Sequence, residues 1–193
     1  MLTKTYWQEA AAELKNIKII AFAALMIAAC AALGFIPSIP IGDATKVSWG
    51  FLARAVCGMV CGPVVALVFG FAEDTLSYLV HPTGAYFPGY ALTTMLGTMI
   101  YALFLYKKKI TLPRIFLAKL CTNVLNVVLG TLWTAILTDK GYLFYLPVRA
   151  VKNLLMLPVQ TIMLALLIGA LVPILKRVDF SNPLTARRAR SGT

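Results

Sequence analysis

Apolar residues along this chain come in runs of helical length, separated by short polar stretches rich in glycine and proline. The first run covers residues 19–35 and stops at Gly34 and Pro37, residue types that end helices. From 47 to 80 the chain is predominantly apolar for 34 residues. As one helix this would measure about 51 Å, against a hydrocarbon core of about 30 Å. Gly58 and Gly62-Pro63 therefore predict a division into two short crossings. Further runs cover 85–106, 117–137 and 146–175, the last as a helix entering at Pro147. Ahead of them all, Thr5-Tyr6-Trp7-Gln8 reads as a capping box opening a short amphipathic helix whose rings suit a membrane interface.

The pattern predicts an all-α integral membrane protein, a compact bundle of six transmembrane helices. Composition agrees: 60% hydrophobic and 13% charged residues exclude an ordinary water-soluble domain, and 193 residues leave no room for a second one. Residues 1–178 are expected to form a single transmembrane domain, with 1–18 as an interfacial helix, and 179–193 are expected to be a basic, disordered tail.

The net charge of +11 changes the picture only through where it sits. Lys4, Lys15 and Lys18 precede the first run; Lys107, Lys108, Lys109 and Arg114 lie between the fourth and fifth; Lys176, Arg177, Arg187, Arg188 and Arg190 end the chain. Six crossings put all three clusters on one side, leaving Lys46 and Lys140 in the opposite loops. Cytoplasmic loops carry the excess of Lys and Arg, so both termini are expected in the cytoplasm. Cations that flank apolar runs are a topology signal, and nucleic acid is excluded as a partner.

Arg54, Lys119, Arg149 and Lys152, with Glu73 and Asp74, fall inside or at the edge of the runs. Ionisable groups there are expensive and either pair or line a cavity. Pairing Asp74 with Arg54, for example, and Glu73 with another cation still leaves two positive charges in excess, which an anionic ligand would balance. Arg149, Lys152 and Asn153 stand at helical spacing near the predicted start of the last helix, where the positive end of the helix dipole would help to catch an anion. Snorkelling to lipid phosphates is the competing reading. The outer loops are aromatic, with Tyr86, Phe87, Tyr90, Tyr142, Phe144 and Tyr145, and Trp133 below them; such rings form an interface belt or stack on a flat ligand. Lys119, Asn123 and Asn126 share a helix face, where the amides bond a ligand or neighbouring helices.

No phosphate-binding glycine loop and no Cys/His metal pattern occurs. The four cysteines sit in apolar runs and read as small buried hydrophobes. Ser77 and His81 are the one conceivable dyad for an intramembrane hydrolase, without an accompanying oxyanion-hole motif. No catalytic residue, cofactor or metal is assigned.

An alanine stripe on the first span (Ala24, Ala28, Ala32), Cys61-Gly62-Pro63 leading to Asp74, Tyr86-Phe-Pro-Gly-Tyr-Ala-Leu-Thr-Thr94, Leu125-Asn126 with Leu132-Trp133, and Arg149-Ala-Val-Lys152-Asn153 with Pro158 resemble the substrate-binding S component of energy-coupling-factor (ECF) vitamin transporters. The resemblance is strongest to the folate-specific S components and covers about residues 19–175. It departs at 127–131, where the segment between Asn126 and Leu132 is longer than in the family. The resemblance implies a multi-pass protein of the bacterial plasma membrane that binds folate or a related vitamin from outside and is not an enzyme. Its partners would be a transmembrane coupling protein and two ATPases, docked against Ala24, Ala28 and Ala32. Arg149, Lys152, Asn153, Tyr86, Phe87, Tyr90, Trp133, Asn126, Asp74 and Arg54 would be the substrate-binding residues. An S component for another vitamin or a modified purine is the alternative within the class; an intramembrane hydrolase or a structural subunit lies outside it.

Overall fold

The computed structural model describes residues 4–35, 39–40, 46–47, 49–80, 82, 87–138 and 142–175. Tyr86, His81, Lys140 and the C-terminal basic cluster lie outside the described residues. In chain order the elements are α1 (Lys4–Ala12), a 3-10 turn (Glu13–Lys15), α2 (Ile17–Gly34), two-residue strands β1 (Ile39–Pro40) and β2 (Lys46–Val47) paired antiparallel, α3 (Phe51–Val80), α4 (Pro88–Leu105), α5 (Leu112–Thr138) and α6 (Tyr142–Leu175). Among the described residues five helices are long and apolar enough to cross a membrane.

The sixth crossing comes from a reversal inside α3. Gly62 has φ 80° and ψ 172°, a backbone state that side-chain-bearing residues avoid, and Pro63 follows with no N–H to continue the ladder. The two arms, 51–61 and 63–80, return on each other like a hairpin. Gly58 abuts Thr98 and Ala102, Gly62 the ring of Tyr106, and Gly70 Thr94 and Met95, so α4 packs along both arms. Space as well as φ demands glycine at 62, since an added Cβ would stand 3.0 Å from the Tyr106 ring. The first arm has only about 16 Å of helix, half the hydrocarbon core, so Phe51 starts deep in the bundle.

The bundle turns large apolar side chains outward and draws its polar groups into an otherwise apolar core, as a lipid solvent requires. Leu25, Val68, Leu92, Val124, Val128, Leu154 and Leu166 are exposed, whereas Glu73, Thr94, Thr98, Lys119, Thr122, Asn123, Lys152 and Gln160 are buried. Cys30, Cys57 and Cys61 are buried and free, as small hydrophobes would be.

At one end of the bundle α1 lies across the α3 reversal. Tyr6 meets Tyr106 edge-on at 5.9 Å, Lys107 pairs with Glu9 at 2.8 Å, and the side chain of buried Asn16 accepts from Lys18 N to cap α2. The N-terminal helix and the Lys107 cluster therefore share an end, opposite the start of α6. The capping box expected at Thr5 is not what starts α1, because the helix already includes Lys4.

Candidate functional site

At the other end, α4, α5 and α6 build a wall of rings and hydroxyls. Phe87 is extended and Pro88 opens α4, a position where its missing N–H costs nothing. Gly89 then lets two rings close over the backbone: an added Cβ would lie 2.4 Å from Phe87 and 2.6 Å from Trp133. Phe87 stands 5.4 Å from Trp133 and 6.3 Å from Tyr90, ring centroid to centroid. Trp133 Nε1 donates to Thr93 Oγ1 at 2.9 Å, and Thr93 in turn donates to the carbonyl of Gly89.

Arg149 of α6 enters this wall. Its Nη2 donates to Thr134 Oγ1 at 2.7 Å, and Tyr90 OH lies 3.2 Å from the same oxygen. Thr134 gives its one proton to Gly130 O, so Tyr90 must be the donor of that pair. Gly130 makes room for the guanidinium, since a Cβ there would meet Nη1 at 2.8 Å. Arg149 Nε is buried and has no hydrogen-bond partner among the described residues. A full positive charge is thus held by a neutral hydroxyl, with part of its donor fork unused.

Lys152, one turn further, is 7% exposed and pairs with no carboxylate among the described residues. Asn153 Nδ2 donates to Arg149 O, and Asn123 Nδ2 donates to Asn153 O, which fixes α6 against α5. The expected help from the α6 dipole is absent. α6 begins at Tyr142, not Pro147, which places Arg149 about 10 Å inside the helix, beyond the first turn where the dipole acts. Proline has no N–H to give and leaves the carbonyl four residues earlier without its helix bond, yet α6 carries Pro147, Pro158 and Pro173 in its interior.

Charge on the opposite wall is closed. Arg54 bonds Glu73 through Nε at 2.9 Å and Nη2 at 3.1 Å, correcting the expected pairing with Asp74. The reversal sets Arg54 across from Glu73, and Asp74, one residue on, turns toward α4 and accepts from Thr94 Oγ1 at 3.0 Å. Thr93 and Thr94 thus touch Trp133 and Asp74 respectively, which brings the two walls to adjacent positions on α4. Ser77 donates to Glu73 and is tied into this network.

Of the sequence-predicted site, Phe87, Tyr90, Trp133, Arg149, Lys152 and Asn153 come together; Asp74 and Arg54 face them across α4; Tyr86 lies outside the described residues. Asn126 is set apart: it is exposed and donates to Thr122 O of its own helix, off the face that buries Lys119 and Asn123. Sequence reasoning missed Thr93, Thr94 and Thr134, because a threonine in an apolar run carries no signal beyond bonding its own helix. Ala24, Ala28 and Ala32 are all exposed; α2 buries Ile19, Ala23 and Cys30 instead, so the stripe is not packed within the bundle.

The sequence model of the family described as "ECF-type riboflavin transporter, S component" matches residues 14–178. The folate transporter FolT of Clostridium novyi (strain NT) is 36% identical over 120 residues, which are 62% of this chain and 70% of that protein. FolT of Leuconostoc mesenteroides is 25% identical over 122 residues, 60% of this chain and 66% of that protein. A crystal structure of FolT bound with folic acid superposes with TM-score 0.68 at 30% identity, covering 77% of this chain and 89% of the other. The S component for biotin of an ECF-type ABC transporter shares the fold, with TM-score 0.65 at 20% identity, over 86% of this chain and 95% of that one.

Proposed function

We propose that this chain, which belongs to the family of S components of ECF-type transporters, is the folate-binding subunit of such a transporter. The observation that carries the reading is the pair of cations on α6: Arg149 and Lys152 are held beside Phe87, Tyr90 and Trp133, and among the described residues no carboxylate offsets them. Folate offers flat rings to stack and a glutamate with two carboxylates, a match for Arg's planar fork and Lys's point charge. Riboflavin, the vitamin in the description of the matching family, carries rings but no carboxylate. The folate-binding relatives and the wall of unpaired cations point the same way.

Titration calorimetry on the detergent-solubilised protein tests this. Folate is expected to bind and riboflavin not to; binding of riboflavin with no signal for folate would overturn the assignment.

The remaining parts of the reading follow from the same family. Capture is from outside, with both termini in the cytoplasm of a bacterium whose plasma membrane holds the protein; the shared end of α1 and the Lys107 cluster supports this orientation. An impermeant thiol reagent on intact cells should label Gly84→Cys and spare Lys108→Cys, and the converse pattern would invert the topology. A transmembrane coupling protein and two ATPases would drive release inward, with Ala24, Ala28 and Ala32 as the docking stripe, supported by their exposure. Ala28→Trp is expected to abolish uptake while folate binding to the isolated protein is kept. Loss of both would remove the docking role.

A further inference from the structure

Gly130 and Thr134 stand one turn apart on the same face of α5, and both touch Arg149. Glycine weakens the interior of a helix relative to alanine, and Gly130 is buried, so its place in α5 calls for a reason in packing. That reason is the guanidinium. Among the described residues, and its own stretch of helix aside, the one atom within 4 Å of a Cβ added at 130 is Arg149 Nη1, at 2.8 Å. The carbonyl of Gly130 also accepts the Thr134 proton at 2.9 Å, which holds that hydroxyl in one orientation. With the proton committed, both lone pairs of Thr134 receive, from Arg149 Nη2 at 2.7 Å and from Tyr90 OH at 3.2 Å. Threonine is stiff about χ1, so this acceptor is as rigid as the helix that carries it. The backbone of α6 is tied to α5 separately, by Asn123 on Asn153 O, so the contacts at 130 and 134 fix a side chain and not a helix.

We propose that Gly130 and Thr134 are positioning residues, a cradle on α5 that holds the Arg149 guanidinium in place before the ligand arrives. Gly130 supplies the room and Thr134 the anchor. A free arginine side chain loses rotamer freedom when it closes on a carboxylate; one already ordered meets the carboxylate without that cost, with Nε still open among the described residues. The inference rests on the folate reading and deepens it, because the cradle would be what lets Arg149 favour the charged vitamin over an uncharged form of the same molecule.

The test measures the affinity of folate and of its dimethyl ester, which keeps the rings and amides and carries no charge, together with the melting temperature. The proteins are wild type, Gly130→Ala, Thr134→Val, Thr134→Ser and Arg149→Ala, and the first two variants combined with Arg149→Ala. In Gly130→Ala the far end of a flexible side chain gives way to the new methyl, so the melting temperature should equal or exceed that of the wild type. Folate should bind about five-fold more weakly or worse, while the ester, which has no carboxylate for Arg149, loses much less. Thr134→Val keeps the shape and removes the acceptor, with a similar loss for folate; Thr134→Ser restores most of it. In the Arg149→Ala background neither change should weaken folate further, since no guanidinium is left to place. Equal losses for folate and ester, losses that persist undiminished without Arg149, or wild-type affinity in both single variants would each overturn the proposal. If Thr134→Val does not fold, Gly130→Ala and its combination with Arg149→Ala decide. Wild-type affinity in Arg149→Ala would keep folate as the ligand and remove this inference alone, whereas failure of the wild-type protein to bind folate removes the folate reading and the inference with it.

Discussion

The two long walls of the bundle treat charge in opposite ways. Across the α3 reversal, Arg54 and Glu73 meet through two hydrogen bonds, so their charges cancel inside the protein. Along α5 and α6, Lys119 and Lys152 are buried and Arg149 is held by a threonine hydroxyl, and among the described residues none of the three meets a carboxylate. Both walls are costly to build in a low-dielectric bundle. Only the first is offset by folding, and in the reading proposed above a ligand supplies the charge that the second lacks. Stability should therefore depend on the α3 wall and affinity on the α5/α6 wall.

The sharpest way to break this division is Glu73→Gln. It leaves Arg54, whose side chain is 29% exposed, without a counter-charge, and breaking a pair with one buried member costs on the order of 2 kcal/mol or more. The melting temperature in detergent should fall steeply, and replacing both partners by Met should recover much of the loss, since a well-packed apolar pair avoids the desolvation cost. A Glu73→Gln protein as stable as the wild type would show that the pair is not structural.

Arg149→Ala is the converse case. Folate affinity should drop by about thirty-fold or more, the cost of truncating one member of a desolvated ion pair, with little change in melting temperature. Unchanged affinity in Arg149→Ala and in Lys152→Met, with both folded, would return these cations to lipid snorkelling.

Trp133→Phe sharpens the same wall more gently. It removes the bond from Nε1 to Thr93 and part of the ring surface beside Phe87, so affinity should fall by about five-fold, read by calorimetry. An equal fall in thermal stability and none in affinity would make Trp133 a packing residue.

The smallest effect belongs to the pair outside both walls. Lys107 and Glu9 are half exposed, and exposed pairs contribute about 0–1 kcal/mol, less in salt. Lys107→Ala should shift the melting temperature barely, and only at low ionic strength. The hydrogen bond from Lys107, then its charge, holds the Glu9 carboxyl below the ordinary carboxylate range. Its small contribution is thus complete above the ordinary carboxylate pKa and is lost as pH falls through the lowered one. A large destabilisation in this variant would mean that α1 is held chiefly by this pair, not by the packing of Tyr6 on Tyr106.

Sequence alone determined the solvent, the number of runs and the composition of the site. Apolar run length against bilayer thickness settles the helices, and a predominantly apolar run of 34 residues broken at Gly62-Pro63 already announces two crossings, because it is too long for one span and carries a helix-breaking pair. Rings and cations at the α6 end of the bundle were legible as a candidate binding wall, because buried charge in lipid is too costly to be incidental. What only the tertiary structure decided is which group faces which. Glu73 and Asp74 are adjacent and chemically alike, and the 100° between consecutive helix positions sends one to Arg54 and the other to Thr94. The same rotation buries Asn123 and exposes Asn126. Periodicity tells which residues share a face, but which face meets a neighbour is set by the packing of the other helices, and no single segment contains that information.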